Sequence, residues 1–85
     1  MSELTDMRNV GRELAHKLSA AGIGSPEKLA ELGAKQAYFQ MKTLYPQVCL
    51  VHLYALECAL RDVDFNRLPE ETKRDLKTFS DSIKR

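Results

Sequence analysis

Tryptophan is absent from this 85-residue chain, and cysteine, proline and glycine are scarce, at two, three and four copies. So little proline and glycine excludes a collagen-like or low-complexity linker composition. Two cysteines cannot build the framework of a small disulfide-stapled scaffold. Cys49 and Cys58 fall within one apolar, helix-like segment, where about 100° of turn and about 1.5 Å of rise per residue put them on opposite faces and too far apart to bridge. The histidines, His16 and His52, lie in separate segments and offer no tetrahedral set of ligands, so neither a metal nor another cofactor is expected. An excess of charge is missing too. Thirteen basic residues face twelve acidic ones, a formal net charge of +1, well short of the basic balance of a nucleic-acid binder. No apolar run approaches the roughly 18 residues of a membrane span, and the start, MSELTDMRNV, has no apolar signal core. A cytoplasmic protein with no membrane partner is expected, and no small-molecule substrate is evident.

What remains is helical periodicity. Eighty-five residues suit one domain over 1–85, and so short a chain buries only a little over ~60% of its unfolded surface. Val10, Leu14 and Leu18 recur at helical spacing, and Gly22 followed by Ile23 spells a left-handed stop with an apolar lock. The first long helix is predicted from Asn9 or Val10 to Ala21. Ser25 then offers a cap oxygen, Pro26 a preset φ and Glu27 a charge suited to the positive helix end, so a short second helix should start there and stop near Gly33.

The segment AKQAYFQMKTLY places Ala37, Met41 and Leu44 on one stripe, which predicts a third helix, although Ala34 is a poor cap. Pro46 fits the first turn of a fourth, whose apolar residues Cys49, Leu53, Leu56, Leu60 and Val63 alternate steps of four and three, with Ala55 and Ala59 beside them. Apolar on most sides, this helix is expected at the centre. A fifth should start around Pro69, carry Glu70 and Glu71 at its positive end and Lys84 and Arg85 at the other, and bury Leu76, Phe79 and Ile83, with Glu70 and Arg74 spaced as an ion pair. No strand pattern or repeat is visible. The fold class is therefore all-α, a compact bundle of about five helices.

The stretch from Leu4 to Leu32 has the look of a helix-hairpin-helix unit, with Asn9, Val10 and Gly11 where such turns carry glycine, an apolar residue and glycine. Asparagine is the best non-glycine visitor to positive φ. In a DNA-binding reading, the amides around Gly11 and Arg12 face a phosphate while Arg8, Arg12 and Lys17 add charge and Asn9 shapes the turn, against the opposing Asp6 and Glu13. In a structural reading, Gly11 lets two helices approach closely and Asn9 caps the second.

The run from Leu4 to Gly33, CLVHLYALECAL from Cys49 to Leu60, and LPEETKRDLKTF from Leu68 to Phe79 together resemble the carboxy-terminal domain of the TfoX (Sxy) bacterial competence regulators. The most specific elements are the NVG turn followed by Leu14 and Leu18, GI-x-S-P-E-x-L from Gly22, LGA from Leu32, and YALE from Tyr54. The resemblance implies an all-helical module, similar in its first part to helix-hairpin-helix domains, in proteins connected with regulation of DNA uptake and transformation, and it implies no catalytic activity. The separate amino-terminal domain that family members often carry is expected to be missing here, since the chain opens with Met1 directly before the module.

Three functions follow as expectations. A noncatalytic interaction module would dock a protein partner or a second copy through apolar residues such as Tyr38, Phe39, Tyr45, Val51 and Tyr54, half or more of them expected in the core. The alternative is weak, sequence-nonspecific DNA binding through Arg8, Asn9, Gly11, Arg12 and Lys17. An enzyme would need Cys49 beside His52, but a buried cysteine next to a partly exposed histidine is the expected arrangement, without an orienting carboxylate or oxyanion turn.

Overall fold

The computed structural model describes residues 4–7 and 9–83. Among them are five α-helices, α1 Arg12–Ala20, α2 Pro26–Leu32, α3 Ala34–Leu44, α4 Leu50–Arg61 and α5 Glu70–Ile83, with single 3-10 turns at Leu4–Asp6 and Phe65–Arg67 and no strand.

The first helix begins later than its periodicity predicts. Asn9 sits at φ 70° and Gly11 is extended as the N-cap, so neither belongs to a helix. The end follows the sequence closely. Gly22 takes φ 89°, its N–H reaches the Ser19 carbonyl at 3.1 Å, the Ile23 N–H reaches that of Leu18 at 2.8 Å, and the Ile23 side chain is fully buried. This wrap satisfies carbonyls that a helix end otherwise leaves open. The Lys28 amide donates to Ser25 Oγ at 3.2 Å, the cap expected for α2. Gly33, at φ 86°, ends α2 and caps α3 at once. Ala34 therefore has no capping to do.

Pro46 is not in the first turn of α4. It occupies a turn closed by the Val48 N–H on the Tyr45 carbonyl at 3.0 Å, and α4 starts only after Cys49. Burial of Val48 and the Lys42 ammonium, which donates to the carbonyls of Pro46 at 3.2 Å and Val48 at 2.9 Å, hold this turn open to the chain's change of direction. The far end of α4 also stops early. Asp62 adopts the left-handed conformation at φ 56°, so Val63 leaves the helix.

The hub is α3, not α4: it packs against each of the other four α-helices, whereas α4 packs mainly against α3, α5 and the second 3-10 turn. Ala34, Ala37, Tyr38 and Met41 of α3 are buried, facing Leu53, Leu56, Cys58 and Ala59 of α4 within one apolar core. Leu68 and Leu76 join that core, while Phe79 and Ile83 are only partly buried against it. Tyr38 and Ser80 share a buried hydrogen bond of 3.2 Å. Glu70 is approached by Lys73, at 3.8 Å, rather than by Arg74. Lys84 and Arg85, expected at the last helix end, lie outside the described residues.

Candidate functional site

The turn before α1 has the left-handed asparagine that the hairpin reading requires, but the turn's side chains are used internally. Asn9 Nδ2 donates to the Val63 carbonyl at 2.9 Å, tying the turn to the end of α4 instead of capping α1. Val10 is buried. Gly11 needs no special freedom and permits no close approach, because its φ of −87° suits any residue and a Cβ placed there would meet no atom within 4 Å. The structural reading of Asn9 and Gly11 is corrected on both counts.

Of the basic residues of the expected DNA site, the two that are described, Arg12 and Lys17, do not face the same way. Arg8 lies outside the described residues. Arg12 is exposed and lines a cleft of about 350 Å³ with Leu4, Thr5, Ala15, His16, Ser19 and Gly24. Lys17, five residues on, is turned about 140° from Arg12 around the helix axis at ~100° per residue. Its ammonium pairs with Glu13 at 3.3 Å and lies 5.8 Å from the Tyr45 ring. With its side chain only 13% exposed, Lys17 is packed against the end of α3. His16 shares the Arg12 face at a spacing of four, a signal present in the sequence that the turn-centred reading passed over. The first amides of α1 have no side-chain cap.

A second cleft, of about 490 Å³, lies where the α2–α3 joint meets α4 and α5. Its cations are taken up by neighbouring acids: Lys35 pairs with Asp75 at 2.6 Å, and Arg61 with Glu57 at 2.6 Å while also donating to Thr72 Oγ1 at 3.3 Å. Ions paired in this way offer an incoming anion little unspent charge. No group of three or more His, Cys, Asp and Glu residues among the described ones is arranged to hold a metal, and no described helix is long and apolar enough to cross a membrane.

A third surface is apolar. Phe39 and Leu44 on α3 stand 48% and 52% exposed, beside Ala20 and Ala21 and the polar Gln36, Gln40 and Thr43 around a groove of about 370 Å³ between α1 and α3. Of the other aromatic candidates, Tyr38 is core, and Tyr45 and Tyr54 are partly buried against it. Val51 is 59% exposed on α4. The two thiols are free; Cys49, expected to be buried, is exposed, and Cys58 is buried. Burial, and less strongly the neighbouring Glu57 carboxylate, pushes the Cys58 thiol above its ordinary range.

The bundle and its surfaces define a small all-helical module built around α3, with an open apolar face. The chain belongs to the TfoX C-terminal domain family, whose model matches residues 1–80. It is similar over 96% of its length to a crystal structure of an uncharacterized protein from Listeria monocytogenes in a triclinic form, at 34% identity and a TM-score of 0.93, covering 93% of that chain. A protein of unknown function from the same organism, in a tetragonal form, is 35% identical, with a TM-score of 0.90 and coverage of 94% of this chain and 98% of that one. No curated protein matches the chain.

Proposed function

We propose that this chain is a noncatalytic helical interaction module that works in regulation of the TfoX type by docking a protein surface, with a second copy of itself as the simplest version. The observation that carries the reading is the pair Phe39 and Leu44, about half exposed on neighbouring turns of the hub helix. Large apolar side chains left open in so small a bundle cost solvation free energy that a partner would recover, at roughly 25 cal/mol per Å² of apolar surface covered. Size-exclusion chromatography with light scattering on the intact chain and on a Phe39→Ser, Leu44→Ser variant tests the self-association version. Concentration-dependent dimerisation that the variant loses supports it, and a strict monomer over a wide concentration range removes it.

A second reading is favoured by the uncapped start of α1 beside the exposed Arg12. Weak, sequence-nonspecific DNA binding there would use the first amides of the helix with Arg8 and Arg12, and would fall steeply with salt. Titration of a labelled duplex at low salt, against an Arg8→Ala, Arg12→Ala variant, decides it. Binding that ignores both arginines rules this surface out.

A further inference from the structure

We propose that Cys49, with His52 as its proton acceptor, is a site of reversible S-thiolation by a low-molecular-weight disulfide. Cys49 is the residue from which α4 departs, and it is exposed. Its Sγ lies 3.6 Å from His52 Nδ1, and its own amide donates to the same nitrogen at 3.1 Å. A nitrogen that accepts an N–H carries a lone pair, so the ring's remaining proton belongs on Nε2, and Nδ1 is the atom turned toward the thiol. A nucleophile within reach of an oriented base is the arrangement that thiol chemistry requires. The corner that presents it is fixed from behind: Lys42 donates to the two carbonyls of Pro46 and Val48, and Val48 is buried.

The exchange balances without an external oxidant beyond the disulfide itself. The Cys49 thiol gives its proton to His52 Nδ1, and the thiolate attacks one sulfur of the small disulfide. A new S–S bond forms to Cys49 as the old one breaks, and the departing thiolate takes the proton from the imidazolium. The product is a mixed disulfide on Cys49 and one free small thiol, and an incoming thiol reverses the step. Proton transfer competes with the Cys49 amide for the single Nδ1 lone pair, so the cap hydrogen bond from that amide to His52 is released while the ring is charged.

The chain contains its own control, because Cys58 is fully buried. An unassisted thiol is only a few per cent ionised at neutral pH, so base assistance can raise the rate by at most about thirtyfold. The test is incubation of the intact native chain with oxidised glutathione at neutral pH, followed by peptide mapping, for wild type, Cys49→Ser and His52→Gln. Glutamine at the third helical position can still accept the cap amide, which keeps the helix start while removing the base; equal melting temperatures of the variants check this. Expected are a single, thiol-reversible adduct on Cys49, none on Cys58, none in Cys49→Ser, and a several-fold slower reaction in His52→Gln. An unmodified native chain, equal modification of Cys58, or a rate indifferent to His52→Gln overturns the proposal.

Discussion

The ends of α1 and α4 are closed by equivalent hydrogen bonds on different residues. At α1, Gly22 N–H meets the Ser19 carbonyl at 3.1 Å and Ile23 N–H that of Leu18 at 2.8 Å; at α4, Asp62 N–H meets Ala59 at 3.3 Å and Val63 N–H meets Cys58 at 3.0 Å. One stop places glycine at φ 89°, the other aspartate at φ 56°. The wrap is thus a property of the backbone path, and glycine lowers the cost of the left-handed residue without being required. The following residues differ more. Ile23 is fully buried, whereas Val63 is partly buried and does a second task, since its carbonyl receives Asn9. The end of α4 is therefore part of the scaffold of the turn before α1.

The comparison breaks most forcefully at the apolar locks. Ile23→Ala should cost about 2 to 5 kcal/mol, because it empties a fully enclosed site, while Val63→Ala should cost no more than about 1.5 kcal/mol. Urea denaturation of both variants measures the difference, and equal losses would mean that the two stops bury their locks alike. Asn9→Ala comes next, at about 2 kcal/mol: roughly 1 for the hydrogen bond to Val63 and roughly 1 for the left-handed backbone. Asn9→Gly separates the two parts. It restores the backbone freedom but not the bond, so it should lose only about 1 kcal/mol. If the glycine variant is the less stable of the two, the left-handed conformation is not what asparagine supplies. Gly22→Ala is expected to cost about 1 kcal/mol. The added methyl group meets no atom within 4 Å, so the loss is conformational and should appear without any change in the denaturant slope.

Much of this was readable in advance, and the reasons are local. Gly22–Ile23 and Ser25–Pro26–Glu27 write a stop and a start in residues whose preferred backbone angles are the observed ones. The periodic stripes of α3 and α4 locate most of the core, but Leu44, the last residue of the α3 stripe, is about half exposed. Asp62 hid the second stop, because an apolar residue at Val63 continues the helical spacing and nothing nearby is glycine. Pro46 misled for a related reason: proline suits the second position of a turn as well as the first turn of a helix, and burial of Val48, a nonlocal fact, decided between them. The candidate turn showed the same divide. Its left-handed asparagine was legible, but the destination of the Asn9 side chain, 54 residues away at Val63, and the packing of Lys17 against Tyr45 depend on how the bundle closes. The spacing of Cys49 fits the α4 stripe and predicts a buried position, yet the residue stands one place before the helix starts.

The smallest expected change in stability is at the open face, and there the contrast with the locks is sharpest. Phe39→Ser and Leu44→Ser remove side chains that are about half exposed, and surface substitutions away from caps and cores usually stay within about 0.5 kcal/mol. Ile23 and Leu44 are both branched aliphatic residues, one just beyond α1 and the other at the end of α3, but the first is fully enclosed by the fold and the second is left about half exposed. A residue retained for folding should lose stability and keep association; a residue retained for docking should do the reverse. Measuring melting and self-association on Ile23→Ala and on the Phe39→Ser, Leu44→Ser variant separates the two directly. Should the surface variant unfold several degrees earlier while associating normally, Phe39 and Leu44 belong to the stability of the bundle, and the α1–α3 face is not where a partner is met.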